Sequence, residues 1–326
     1  MRPCIVIWDG SDDAMTQHTI TKVSRRTVIG VLAGFGAGSV LVACNGGAHV
    51  TTAPTRVSVV ACEGFWGSIV EQIGDTRVSV MNIIADPNID PHDYEPKTSD
   101  ARLFAGARYV VVNGAGYDPW AAKLLAANPV AGRRVLMVAD LFGKKDGDNP
   151  HLWYSPDYVL QTTDRITADL QALDPDGASF YDAQRTQFKN VALKPYTDAI
   201  TTIKGRFAGT AVGASESIFV YLADALGLNL ITPHGFLNAI SGSSDPTARD
   251  KATADAQITG KQIAVYVYNS QNTTPDVNAQ RDKAQASGIP IVAITETPDT
   301  PTQSLQDWQT AQLGALITAL AQATGN

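Results

Sequence analysis

The sequence predicts an α/β fold of two lobes, each an open, mostly parallel four-stranded sheet flanked by helices, joined by a long connecting helix. Three observations predict it. Eight short runs of nearly continuous, β-branched apolar residues recur along the chain, the pattern of strands covered on both faces. Segments of helical periodicity lie between many of these runs. A stretch without strand character, residues 178–208, divides the eight runs into two sets of four.

The first 44 residues stand apart from the fold. Arg25 and Arg26 precede an apolar run from Val28 to Val42. That run is shorter than the ~20 residues a membrane span needs and matches a signal-peptide core. It ends in Leu41-Val42-Ala43-Cys44, a lipobox pattern: a small residue before the cleavage point, then a thiol to carry lipid. Ser24-Arg25-Arg26-Thr27-Val28-Ile29 has the form of a twin-arginine export signal, with ordinary secretory export as the alternative. Residues 1–14 carry a Trp and three acids, unlike a basic leader, so translation is expected to start at Met15. Residues 45–56 form a polar tether.

The N-terminal lobe is expected over 57–177, with strands at Val57–Cys62, Val78–Ile84, Tyr109–Asn113 and Val135–Ala139. Ser99 is the expected N-cap of one of its helices. In the connector 178–208, the residues Phe180, Phe188, Val191, Ile200, Ile203 and Phe207 recur at helical spacing, and Pro195 should kink or break it. It lacks a Gly/Ser hinge, which favours stiff lobes. The C-terminal lobe is expected over 209–326, with strands at Thr210–Ala214, Leu228–Thr232, Ile263–Tyr268 and Pro290–Thr295.

Composition narrows the function. The 326 residues suffice for two sizeable cores. Net charge is -7, and the body of the chain has no Lys/Arg cluster of five or more, so no nucleic-acid partner is expected. With Cys4 and Cys44 assigned to leader and anchor, Cys62 is alone; neither an intramolecular disulfide nor a Cys-based metal site is expected.

Ligands of open α/β sheets bind beyond the carboxyl ends of the strands. The second expected strand is followed by Asp90-Pro91-His92-Asp93-Tyr94-Glu95-Pro96 and the fourth by Asn149-Pro150-His151-Leu152-Trp153. The fifth is followed by Ser215-Glu216-Ser217 and the eighth by Thr295-Glu296-Thr297. Two imidazoles and two carboxylates thus fall on loops at one edge of both sheets, a donor set suited to a divalent cation. A lone loop His is usually just an exposed polar residue, but Pro stiffens the backbone before each of these two. Glu216 and Glu296 could instead be helix-terminal acids favoured by the dipole. His234 reads as a plain loop residue, and His49 lies in the tether.

These motifs, with Ser99-Asp100, Glu216-Ser217-Ile218-Phe219-Val220-Tyr221 and Gly227-Leu228, resemble the zinc/manganese group of metal-specific substrate-binding proteins of bacterial ABC transporters. The resemblance runs from about Val57 to Leu320. It implies two lobes joined by a rigid helix, with one metal between them. The implied ligands are His92, His151, Glu216 and Glu296. The third position is His in many zinc binders and Glu in several manganese binders. The fourth is usually Asp, which makes Asp299 a competitor to Glu296. The loop Gly143-Lys144-Lys145-Asp146-Gly147-Asp148 lacks the His-rich insert of many zinc binders.

The implied protein is not an enzyme. It is a monomeric carrier of one Mn²⁺ or Zn²⁺ ion, with Fe²⁺ behind them, that serves a permease and its ATPase. It is held at the extracytoplasmic face of the membrane through Cys44. Two readings compete. A metal-dependent hydrolase would need an open coordination position and a general base, and neither H-E-x-x-H nor G-x-S-x-G occurs. The other is a lipid-anchored surface adhesin.

Overall fold

The computed structural model describes residues 56–89 and 94–325. Cys44, His49 and His92 lie outside the described residues. Strands β1 (Val57–Glu63), β2 (Val78–Ile84), β3 (Tyr109–Val112) and β4 (Arg134–Met137) form one sheet in the order β2-β1-β3-β4. Strands β5 (Ala211–Ala214), β6 (Asn229–Leu230), β7 (Val265–Asn269) and β8 (Ile291–Ile294) form the second, in the order β6-β5-β7-β8. Every pairing is parallel. The strand order reverses between β1 and β3 in one lobe and between β5 and β7 in the other, so each sheet has a topological switch point where a crevice opens beyond the strand ends.

The strands form where β-branched residues can be covered from both sides. Along β1, Val57 and every residue from Val59 to Glu63 are buried. The sixth strand is shorter than expected. Only Asn229 and Leu230 pair, with Ala211 and Val212, because Pro233 ends the ladder and the Thr232 hydroxyl takes over as acceptor for Ala214 N at 3.0 Å. At the fourth, the chain turns helical over Val138–Leu141 before the strand can reach its expected end.

The connector is helical over Ala178–Gln187, passes through a π turn at Phe188–Ala192, and resumes over Lys194–Phe207. Pro195 lies in the first turn of the resumed helix, where its missing N–H costs nothing. The wider π turn shifts the helical phase. Val191, expected on the buried face, is therefore 55% exposed, while Leu193, Tyr196, Ile203 and Phe207 face the core. Ser99 is not the N-cap of its helix, which begins at Thr98. Instead, Asp100 Oδ2 accepts the Lys97 amide at 2.6 Å and the Tyr94 hydroxyl at 2.7 Å.

One apolar core runs through both lobes. Phe65 and Trp153 stack with ring centroids 4.2 Å apart, and Trp308, from the C-terminal helix Leu305–Thr324, lies 6.3 Å from Phe65. Beside them Gln72 and Gln306 exchange amide hydrogen bonds of 2.7 and 3.1 Å. Among the described residues, no helix is long and apolar enough to cross a membrane.

Candidate metal centre

His151 follows the loop after β4 and precedes a 3₁₀ turn, Leu152–Tyr154. It is 1% exposed. Its Nδ1 lies 2.7 Å from Asn149 Oδ1, which also accepts the His151 amide at 3.1 Å. The amide oxygen is an acceptor only, so Nδ1 carries the proton and the lone pair rests on Nε2, the tautomer a metal-ligating imidazole needs. Asn149 is held in turn by the other lobe: its Nδ2 donates to Ser217 O at 2.8 Å, and Tyr221 donates to its carbonyl at 3.0 Å.

Glu216 leaves β5 at the second switch point and is 2% exposed. It stands before a short 3₁₀ turn, Ser217–Phe219, but its side chain caps no helix. One carboxylate oxygen lies 3.5 Å from both Ser241 Oγ and Asn272 Nδ2, and the other has no donor among the described residues. Burial, and then the charge of Glu296, pushes its pKa up to about 8, with Asn269, Asn272 and Ser241 offsetting part of the rise. A buried carboxylate so poorly supplied with donors is stabilised by a cation.

Glu296 lies in the loop between β8 and the C-terminal helix, well before that helix begins. Asn269 Nδ2 donates to its Oε1 at 2.9 Å and Tyr117, from the opposite lobe, to its Oε2 at 3.1 Å. The Tyr117 ring also stands edge-on to His151, with centroids 6.3 Å apart. Glu216 and Glu296 line a cleft of ≈ 550 Å³ whose other walls include Pro87, Asn88 and Ile89 of the first lobe and Gln271 and Asn272 of the second. His151 does not line it.

Of the four expected ligands, Glu216 and Glu296 face one cleft, and Tyr117 bridges Glu296 to the ring of His151. The fourth, His92, lies outside the described residues. Asp299 is exposed, with its amide donating to Gln303 Oε1 at 3.0 Å, and does not line the cleft. His234 is not in a loop: it is the exposed first residue of the helix His234–Ser241 and does not line the cleft. Tyr117, Asn269 and Gln271 escaped the sequence reading. Position was their only signal, since Asn269 and Gln271 come at the end of β7, beside the switch point.

A family model described as zinc-uptake complex component A, periplasmic (ZnuA), matches residues 59–319. The chain belongs to the ZnuA family. Its relatives include the manganese ABC transporter substrate-binding lipoprotein PsaA of Streptococcus pneumoniae, 25% identical over 277 residues, covering 78% of this chain and 84% of PsaA. The manganese-binding lipoprotein MntA of Halalkalibacterium halodurans is 28% identical over 181 residues, 54% of this chain and 59% of MntA. Solved structures share the fold as well. A Mn-bound periplasmic metal-binding protein of Candidatus Liberibacter asiaticus superposes with a TM-score of 0.67 at 20% identity, covering 80% of this chain and 98% of that one. The periplasmic zinc-binding protein TroA of Treponema pallidum gives 0.64 at 19% identity, covering 81% and 99%. The ZnuA-family architecture of two parallel-sheet lobes is the one described above.

Proposed function

We propose that this chain is an extracytoplasmic solute-binding lipoprotein. It captures one divalent transition metal between its lobes and delivers it to the permease and ATPase of an ABC transporter. The observation that carries the reading is the buried carboxylate of Glu216, poorly supplied with donors and sharing one cleft with Glu296, together with a buried histidine whose Nδ1 is tied off by Asn149. His92, His151, Glu216 and Glu296 are the ligands in this reading. Four protein donors leave little room for the open position a hydrolase needs. Cys44 is the lipid anchor.

The cargo is Mn²⁺ or Zn²⁺, with Fe²⁺ behind them. Two carboxylates make the site harder than a three-imidazole one and suit Mn²⁺, whereas imidazole suits Zn²⁺, which also stands higher in the general affinity order. The names of PsaA and MntA support manganese and that of TroA supports zinc.

Titration of the mature chain with each metal tests the reading. One equivalent should bind. His92→Ala, His151→Ala, Glu216→Gln and Glu296→Gln should each weaken binding by more than the ~10–100-fold typical of residues behind the ligands. Asp299→Asn and His234→Ala should cost little. Glu216→His should shift preference toward Zn²⁺. Undiminished binding in both histidine variants would defeat the carrier reading. Mass spectrometry of membrane fractions should find acyl chains on Cys44.

A further inference from the structure

The first lobe has its own switch point, and the carboxyl ends of β1 and β3 there carry a buried acidic cluster that the metal centre does not use. Cys62, Glu63 and Asp118 are all buried, and one donor atom of each lies within 4.8 Å of the others. Asp118 is well supplied: its Oδ2 accepts the Asn113 amide and its Oδ1 the Gly114 amide, both at 2.8 Å. Glu63 is fully buried, yet neither of its oxygens has a donor among the described residues. No Lys, Arg or His among those residues stands within ion-pair distance of either carboxyl.

Two carboxylates here would be acceptors facing acceptors, a costly arrangement in a dry interior. One proton resolves it. As the acid, Glu63 supplies the missing O–H, and Asp118, whose anion already receives two backbone amides, is its acceptor. Burial, with the Asp118 charge behind it, raises the Glu63 carboxyl well above the ordinary range. A metal fits the same cluster less well. It would have to displace the Glu63 proton and that of the Cys62 thiol, which burial raises too, and compete with the amides bound to Asp118.

The pair sits behind a strained loop. Gly114, Ala115 and Gly116 take left-handed backbone at φ of 79°, 54° and 80°, a conformation that persists in a non-glycine residue only when its surroundings fix it. Asp118 fixes it from one end. At the other, Asn113 is fully buried and has every polar group bonded. Its Oδ1 accepts Trp66 Nε1 at 3.0 Å, its carbonyl accepts Ala139 N at 2.9 Å, and its Nδ2 donates to Pro150 O at 2.9 Å. Pro150 precedes His151, and Tyr117, in the same loop, touches both His151 and Glu296.

We propose that Glu63 is a neutral acid at physiological pH whose O–H donates a hydrogen bond to the Asp118 carboxylate, and that this pair, acting through Asn113 and Tyr117, positions His151 and Glu296 for metal. The inference rests on the carrier reading above, in which those two residues are ligands. Glu63, Asp118 and Asn113 are positioning residues.

Infrared spectra of the metal-free mature chain carrying Glu216→Gln, which removes the other raised glutamic acid, at neutral pH with ¹³C-labelled Glu, should show one protonated-carboxyl C=O stretch that disappears when Glu63→Gln is added. Titration with Mn²⁺ and Zn²⁺ should find Glu63→Gln within about threefold of the parent, because its amide still donates to Asp118. Glu63→Ala and Asn113→Ala should bind each metal about 10–100-fold more weakly. If the alanine variants do not fold, the infrared band and the Gln variant still decide. Absence of the band, or a Gln variant as weak as the alanine variant, overturns the proposal. So does a second metal equivalent that Glu63→Gln removes, since the cluster would then be a metal site. His151→Ala, measured in parallel, separates the two readings. Full affinity there defeats the carrier reading, while the band still reports on the acid pair.

Discussion

Tyr117 of the first lobe donates its hydroxyl to Glu296 Oε2 of the second at 3.1 Å while its ring stands edge-on to His151. One side chain thus touches a candidate ligand on each side of the cleft. Tyr117→Phe keeps the ring and removes the bond. A hydrogen bond to a charged group contributes ~1.5–3 kcal/mol, so metal affinity measured by titration calorimetry should fall about tenfold or more. An unchanged affinity would mean that Glu296 is held in place without Tyr117.

The pH dependence follows from Glu216. Its pKa lies at about 8 in the folded metal-free chain, against an ordinary value of 4.5. Between those values the folded chain keeps a proton that the unfolded chain has released. The contribution of Glu216 to stability is therefore fully present below pH ~4.5 and is lost as pH rises through about 8. Thermal melts of the metal-free protein should show this decline, and Glu216→Gln should flatten it. Metal binding should release the proton, visible as a buffer-dependent heat. As pH drops toward five, protonation of the histidines should weaken binding.

Gln271 is a strap across the cleft. Its Nε2 donates to Pro87 O at 2.6 Å and to Thr297 Oγ1 at 2.8 Å, and its Oε1 accepts the Glu296 and Thr297 amides at 2.6 and 3.2 Å. Pro87 begins the segment that leads to His92. Gln271→Ala should speed metal release about tenfold in a stopped-flow chelator chase, with a smaller effect on capture. Equal release rates would show that the Pro87 bond does not limit exit.

Trp308 joins the lobes. Trp308→Ala should cost ~3–5 kcal/mol. Because a single core runs through both lobes, calorimetry should still record one unfolding transition. Two separable transitions in the parent protein would contradict a shared core.

What the sequence made legible was whatever repeats or is locally encoded. The β2 strand falls on its expected bounds, Val78–Ile84, because its β-branched residues and flanking polar residues speak for themselves. The loops bearing Glu216 and Glu296 could be placed because they follow strands. What stayed hidden depends on meetings between distant segments. Asp100 rather than Ser99 secures its helix because Tyr94 folds back onto it. Val191 turns outward because of a π turn that no periodicity announces. Asn269 and Gln271 are amides without pattern, and Glu63 meets Asp118 only because β1 and β3 are neighbours in the sheet.

The shared core bears on how a membrane partner would read the molecule. Halves welded through Phe65, Trp153 and Trp308 cannot swing apart like jaws without exposing large aromatic surfaces to water. Loaded and empty forms would then present nearly the same silhouette. What would distinguish them is the rim, lined by Asn88 and Ile89 of one lobe and by Gln271 and Asn272 of the other. A permease that accepts only full carriers would have that small, uncharged patch to inspect, so a charge introduced at Asn88 or Ile89 should uncouple recognition from capture.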